Sequence, residues 1–227
     1  MIKITNKKIK SADNYLLPYL QFEPENNPNN KSIVLVYEIF GTTNHIKKVA
    51  KEYARNGFLV AIPDIFSRLN NNTNLAYNKD GFSKGIHLKE ELGWNVPVMD
   101  IVALAATLKL ECSVSILGFC YGGSLAWLSM QKSFIFDKGI CYYGSSIPEF
   151  LDSNVNCPAM LHFGNRDEGI SASSIEKIKK YIGKNKNNIK LFEYEDADHG
   201  FNCSDRKSYN EKAARIAFEK CLKFLKD

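Results

Sequence analysis

The sequence predicts an α/β protein, a mostly parallel, doubly wound sheet with helices on both faces. Three observations carry this. From about residue 32 strand-like and helix-like segments alternate, the order that a parallel sheet with crossover helices requires. The strand-like segments there are continuous apolar runs, such as "SIVLVYEIFG" and "FLVAIPD", as strands buried on both faces must be. The chain has 227 residues, 44% hydrophobic and 24% charged, enough for one sizeable core.

The elements follow in order. Alternating stretches near Ile2–Ile9 and Tyr15–Phe22 read as an antiparallel pair or a strand and its edge partner. "PENNPNNK" is a turn, because asparagine and proline favour bends. After "SIVLVYEIFG", His45–Asn56 places Ile46, Val49, Ala50 and Tyr53 on one helical side and ends at Gly57. "FLVAIPD" is the next strand. The polar stretch Ser67–Asn95 reads as a long loop with short helical fragments at most, a candidate lid or binding loop. Val98–Leu110 is a helix, "SVSILGF" a strand and Tyr121–Gln131 a helix. "KGICYYG" and "AMLHFGN" are strands, Ser171–Lys184 a helix, "IKLFEYE" a strand and Ser208–Lys226 the final helix. No internal repeat or linker divides the chain, which reads as one domain over residues 1–227.

The formal charge of +5 comes from scattered lysines with no basic block interleaved with aromatics, so no nucleic-acid partner is expected. "MIKITNKKIK" is too polar for a secretory core, and no apolar run is long enough to span a bilayer. The expectation is a cytoplasmic protein without a membrane partner, a monomer or weak homodimer. Cys112, Cys120, Cys141, Cys157, Cys203 and Cys221 form no CxxC pair and read as free thiols, mostly small buried hydrophobes. No spacing suggests a metal site, and no cofactor is expected.

In open sheets of this kind ligands bind beyond the carboxyl ends of the strands. The residues following each apolar run are Glu38, Asp64, Cys120, Tyr143, Asp167 and the segment around His199. In "LGFCYGG" Cys120 stands between a strand and a helix, flanked by Gly118 and Gly122. A tight turn there lifts the side chain into the open, and the helix start favours a thiolate and supplies oxyanion donors. This is a nucleophile elbow with cysteine in place of the commoner serine.

A nucleophile needs a base, and the base an orienting group. His162 lies inside "AMLHFG" and reads as a core residue; His45 begins a surface helix; His87 lies in the polar stretch. His199, in "DADHGF", follows the last strand and precedes the last helix, where a general base belongs. Asp167 follows the neighbouring strand and can reach that imidazole; Asp64, Glu168, Asp196 and Asp198 compete with it. The order Cys120, Asp167, His199 is nucleophile, acid, histidine, as expected on this fold. A carboxylate such as Glu38, close to a cysteine, disfavours the thiolate and can hold the thiol by a hydrogen bond.

The ordered set "YEIFG", "AIPDIF", "LGFCYGG", "CYYG", "LHFGNRD" and "DHGFNC" resembles the dienelactone hydrolase family of the α/β-hydrolase fold over nearly the whole chain. The resemblance implies an ester or lactone hydrolase of the carboxymethylenebutenolidase type, acting on a small-molecule substrate. It implies Cys120 as nucleophile, His199 as base, Asp167 as its partner and Glu38 as a fourth polar residue. The family's oxyanion amides map onto Ile39 and Tyr121, which agrees with their positions after the first buried strand and the nucleophile. Arg68 matches one arginine that family members use to hold a substrate carboxylate, and Tyr143 and Phe40 join it as candidate substrate-binding residues. The second such arginine is out of register: Cys203 stands in its place and Arg206 three residues on, either in the site or on the surface. Alternatives on the same residues are an esterase or thioesterase of other specificity, and a non-catalytic protein whose Cys120 senses redox state.

Overall fold

The computed structural model describes residues 1–25, 30–70, 72–184 and 188–227. It contains an eight-stranded sheet: β1 (Lys3–Lys10), β2 (Leu16–Glu23), β3 (Lys31–Val36), β4 (Leu59–Pro63), β5 (Ser113–Phe119), β6 (Lys138–Tyr142), β7 (Ala159–Gly164) and β8 (Ile189–Tyr194). Their spatial order is β1-β2-β4-β3-β5-β6-β7-β8. β1 pairs antiparallel with β2, and β2 with β4; all later pairs are parallel. β1 forms an edge and carries Lys3, Lys7, Lys8 and Lys10, all exposed, charges that discourage pairing with another chain. The turn expected in "PENNPNNK" falls largely on residues 26–29, outside the described residues.

β3, β5, β6 and β7 are buried almost throughout, which is why their sequences run apolar without alternation. Helix α1 (Asn44–Arg55) starts where the Thr43 side chain accepts from the Ile46 N–H, a side-chain cap. It packs on β4, and its Tyr53 ring meets Phe218 of α6 (Glu211–Lys226) at 5.1 Å. α3 (Asn95–Lys109) and α4 (Tyr121–Lys132) pack on each other and on β5. α5 (Ala172–Lys184) approaches α4 through the edge-on rings of Tyr181 and Trp127, 5.7 Å apart.

Two expectations need correction. Ser67–Asn95 is not a loop with helical fragments: it contains α2, Lys79–Leu92, capped by the Asn78 side chain on the Gly81 N–H at 2.9 Å. Its buried residues are Gly81 and Gly85, and a Cβ on Gly85 would overlap the Ile39 carbonyl. Glycine argues against a helix in sequence, but here it lets the helix backbone seat on the loop after β3. The stretch is also tied down. Thr42 N–H bonds Thr73 O and Leu75 N–H bonds Phe40 O, both at 2.9 Å, and Gly41 bridges Asn74. Second, His45 is not a surface residue; it is 3% exposed beneath the start of α1.

β3 is the switch point of the sheet, with β4 on one side and β5 on the other. A crevice opens beyond the carboxyl ends of strands at such a point. Val36 is in register with Gly118, and Phe119 with Tyr142. Glu38, Cys120 and Tyr143 therefore leave three adjacent strands side by side.

Candidate active site

Cys120 has φ 55° and ψ −115°, a left-handed backbone that costs a non-glycine residue energy and persists where the surroundings over-determine it. Its N–H is held by the Tyr142 carbonyl at 2.9 Å. A Cβ on Gly118 would overlap the Gly122 carbonyl, and one on Gly122 the carbonyls of Val36 and Tyr37. The flanking glycines thus allow α4 to start directly against β3 and β5. Cys120 remains partly exposed, as does Cys112, while the other four thiols are buried.

Asp167 and His199 meet from successive strand ends, Gly164 of β7 being in register with Tyr194 of β8. His199 Nδ1 is 2.7 Å from Asp167 Oδ2, and Asp167 Oδ1 accepts from the Gly169 N–H at 2.9 Å. The acid's side chain is fully buried. Burial opposes charge on His199, but the adjacent Cys120 sulfur and the hydrogen bonds to Asp167 and Cys120 outweigh it. The ring's pKa is pushed up to about 10. Cys120, His199 and Asp167 therefore form one connected constellation. Two of the rival acids are engaged elsewhere: Asp64 accepts from Tyr37 Oη at 3.3 Å and Asn72 N at 2.9 Å, and Asp196 pairs with Arg166.

Glu38 is fully buried after the end of β3, the strand that neighbours the one leading to Cys120. Its partners differ from the one the sequence suggested, the Cys120 thiol. Oε2 accepts from the Tyr77 hydroxyl at 2.9 Å, and Oε1 faces Arg206 Nη1 at 3.3 Å. Among the described residues the carboxylate's hydrogen bonds run to these two groups and not to the thiol. Tyr77 Oη also lies 2.9 Å from Thr43 Oγ1, which ties the wall formed by residues 72–78 to the cap of α1. Nothing in the sequence marks Tyr77, a single tyrosine in a polar stretch.

The structure places Arg206 within the site. Its guanidinium lies 5.7 Å from the ring centres of both Phe40 and Tyr77. Gly200, at φ 78°, has no Cβ to collide with it. Phe40 is buried, with its ring 4.6 Å from that of Tyr77. Arg68, expected to hold a substrate carboxylate, is instead committed to two carboxylates of the protein. Its Nε and Nη2 donate to Asp100, its Nη1 and Nη2 to Asp13, all within 3.0 Å, and it lies over the Tyr15 ring. A guanidinium gripped by two carboxylates has little left for a third.

Tyr143 is buried, at φ 37°, with its ring 5.0 Å from that of His199. Tyr121 opens α4, so its N–H has no intrahelical acceptor; Ile39 follows β3 on the adjacent strand. His162, the core histidine, is fully satisfied: Nδ1 meets Tyr194 Oη at 2.7 Å and Nε2 meets Cys221 Sγ at 3.2 Å. Burial pushes its pKa down to about 3. Among the described residues no group of three or more His, Cys, Asp or Glu is placed to hold a metal ion, and no single helix is long and apolar enough to cross a membrane.

The sequence profile of the dienelactone hydrolase family matches residues 17–227. A Synechocystis protein provisionally assigned as a carboxymethylenebutenolidase is 30% identical over 204 residues, covering 83% of this chain and 82% of its own. The carboxymethylenebutenolidase of Pseudomonas putida is 27% identical, with 96% of this chain and 94% of its own covered. The crystal structure of a Klebsiella pneumoniae protein provisionally assigned as a dienelactone hydrolase superposes with a TM-score of 0.82 at 22% identity, over 99% of this chain and 98% of that one. The last likeness concerns the fold.

Proposed function

Because the chain belongs to the dienelactone hydrolase family, we propose that it hydrolyses a small ester or lactone with Cys120 as the nucleophile. The observation that carries this is the convergence of Cys120, on its strained elbow, with His199 and Asp167. In this reading Asp167 fixes the Nδ1–H tautomer, which leaves Nε2 to take the thiol proton. The sulfur attacks the acyl carbon, and the N–H groups of Ile39 and Tyr121 receive the developing oxyanion. Such donors contribute about 3 kcal/mol each at comparable sites. The tetrahedral adduct collapses as Nε2 returns its proton to the leaving oxygen, and a thioester remains. His199 then takes a proton from water, whose oxygen displaces the sulfur and releases the acid.

Substrate recognition in this reading falls to Arg206, held at rest by Glu38 and lined by Phe40 and Tyr77. Guanidinium suits a carboxylate, and the name of the Pseudomonas putida relative specifies a carboxylated lactone. A carboxylate arriving at Arg206 competes with Glu38 for it.

The test is acylation by a p-nitrophenyl ester, followed by stopped flow and intact mass. A burst with an acyl adduct on Cys120, absent from Cys120→Ala, supports the reading. Turnover that persists in Cys120→Ala refutes it.

A further inference from the structure

The Tyr143 hydroxyl is buried and has no hydrogen-bond partner among the described residues. A buried polar group left unpaired destabilises a fold, so each one calls for an explanation. The ring does not supply it. The ring packs against Phe119, Tyr142, Phe201 and His199, and a phenylalanine would make all of those contacts without the unmet hydroxyl. The backbone adds a second cost, because φ 37° is a left-handed conformation in a bulky residue. Two unfavourable features thus coincide at one residue, at the strand end next to the nucleophile.

Geometry puts the residue at the site, with its ring 5.0 Å from that of His199, and Glu38, Cys203, Arg206 and Cys120 are near enough to weigh on its charge. Burial, and after it the Glu38 carboxylate, hold its pKa far up, so it is a fixed donor. The one guanidinium of this cluster is already spoken for by Glu38 at rest, and the other family position, Arg68, is committed to Asp13 and Asp100. The site therefore offers an incoming anion one arginine and one unused O–H.

We infer that Tyr143 is a specificity-determining residue: its hydroxyl is the second donor, beside Arg206, for the anionic group of the substrate. This rests on the proposed hydrolase reading and adds to it the residue that completes anion recognition. It also accounts for the unpaired hydroxyl, since a donor held without a partner at rest is available to one that arrives with the ligand.

The test compares p-nitrophenyl butyrate with mono-p-nitrophenyl glutarate, a neutral and an anionic ester with acyl chains of similar length, on wild type, Tyr143→Phe and Arg206→Gln. For Tyr143→Phe the KM of the anionic ester rises about tenfold more than that of the neutral one, the size of one hydrogen bond to a charged group. The midpoint of thermal unfolding holds or rises, because the variant removes an unsatisfied buried atom. A purely structural hydroxyl would lower the midpoint and shift both esters together. If Arg206→Gln separates the two esters and Tyr143→Phe does not, the Tyr143 role falls and the hydrolase reading stands. If neither variant separates them, anion recognition at Arg206 falls together with the Tyr143 role. Loss of the acyl-enzyme burst only in Cys120→Ala keeps the hydrolase assignment independent of both.

Discussion

Asp167→Asn removes one charge and exchanges one oxygen for an amide, and the geometry dictates how the replacement sits. Oδ1 of Asp167 accepts from the Gly169 N–H at 2.9 Å while Oδ2 faces His199 Nδ1 at 2.7 Å. An asparagine keeps the Gly169 bond only by placing its oxygen there, which turns its NH2 toward the imidazole. Nδ1 must then accept, so the ring proton moves to Nε2, the nitrogen that should receive the thiol proton. The base is thereby put in the wrong tautomer with little change of shape. In a serine protease the equivalent exchange costs about 10⁴-fold in kcat. A thiol gives up its proton more readily than a hydroxyl, so the loss here is about 10³-fold, ~4 kcal/mol of activation free energy. Steady-state hydrolysis of p-nitrophenyl butyrate measures it, with a thermal melt to show that the fold is intact. The ring pKa, read by NMR, should fall below about 10 because a supporting carboxylate is lost. A folded Asp167→Asn protein with kcat within tenfold of wild type would refute the argument.

Other outcomes follow from the same geometry. In Cys120→Ala the pKa of His199 drops, because the sulfur is the largest contribution that raises it; an NMR titration that still ends near 10 contradicts this. His199 has a folded pKa above its ordinary value of about 6.5, so its contribution to stability is complete below about pH 6.5 and is lost as pH rises through about 10. Urea unfolding of wild type against His199→Gln should show the difference shrinking over that interval. Arg68→Met strips the cation from Asp100, whose side chain is fully buried and keeps, among the described residues, only the Ser11 hydroxyl, and should cost about 3 kcal/mol of unfolding free energy while leaving the preference between neutral and anionic esters intact. Gly122→Ala drives a methyl into the Val36 and Tyr37 carbonyls, for a loss of about 2 kcal/mol or more by denaturant titration.

Much of this was legible in the sequence, for identifiable reasons. The buried parallel strands announced themselves as unbroken apolar runs, and the elbow by glycines that tolerate no Cβ. Cys120, Asp167 and His199 stand out as candidates because Cys120 directly follows β5 and the other two lie in the loops after β7 and β8. What escaped depends on distances that no local pattern encodes. α2 is hard to read because its fully buried residues are two glycines, while Ile86, Leu88 and Leu92 pack on the core only partly buried. Arg68 sits in the expected family position, yet Asp13 and Asp100, far apart in sequence, converge to claim it. The sequence leaves Arg206 between site and surface because the chain between His199 and α6 must fold back to bring it to Glu38, and Tyr77 carries no signal at all.

The fold-back has a wider effect. His199 and Arg206 belong to a single stretch between β8 and α6. Its Asp205 is bound to Lys48 at 2.7 Å, and its Asn210 to the Phe201 carbonyl at 2.9 Å. On the proposed reading the proton carrier His199 and the anion clamp Arg206 share one scaffold, so a shift of one moves the other. A lengthened or shortened segment would disturb turnover and selectivity in the same stroke, whereas exchanges on the opposite wall, at Phe40 or Tyr77, can reshape selectivity with the base left in its seat.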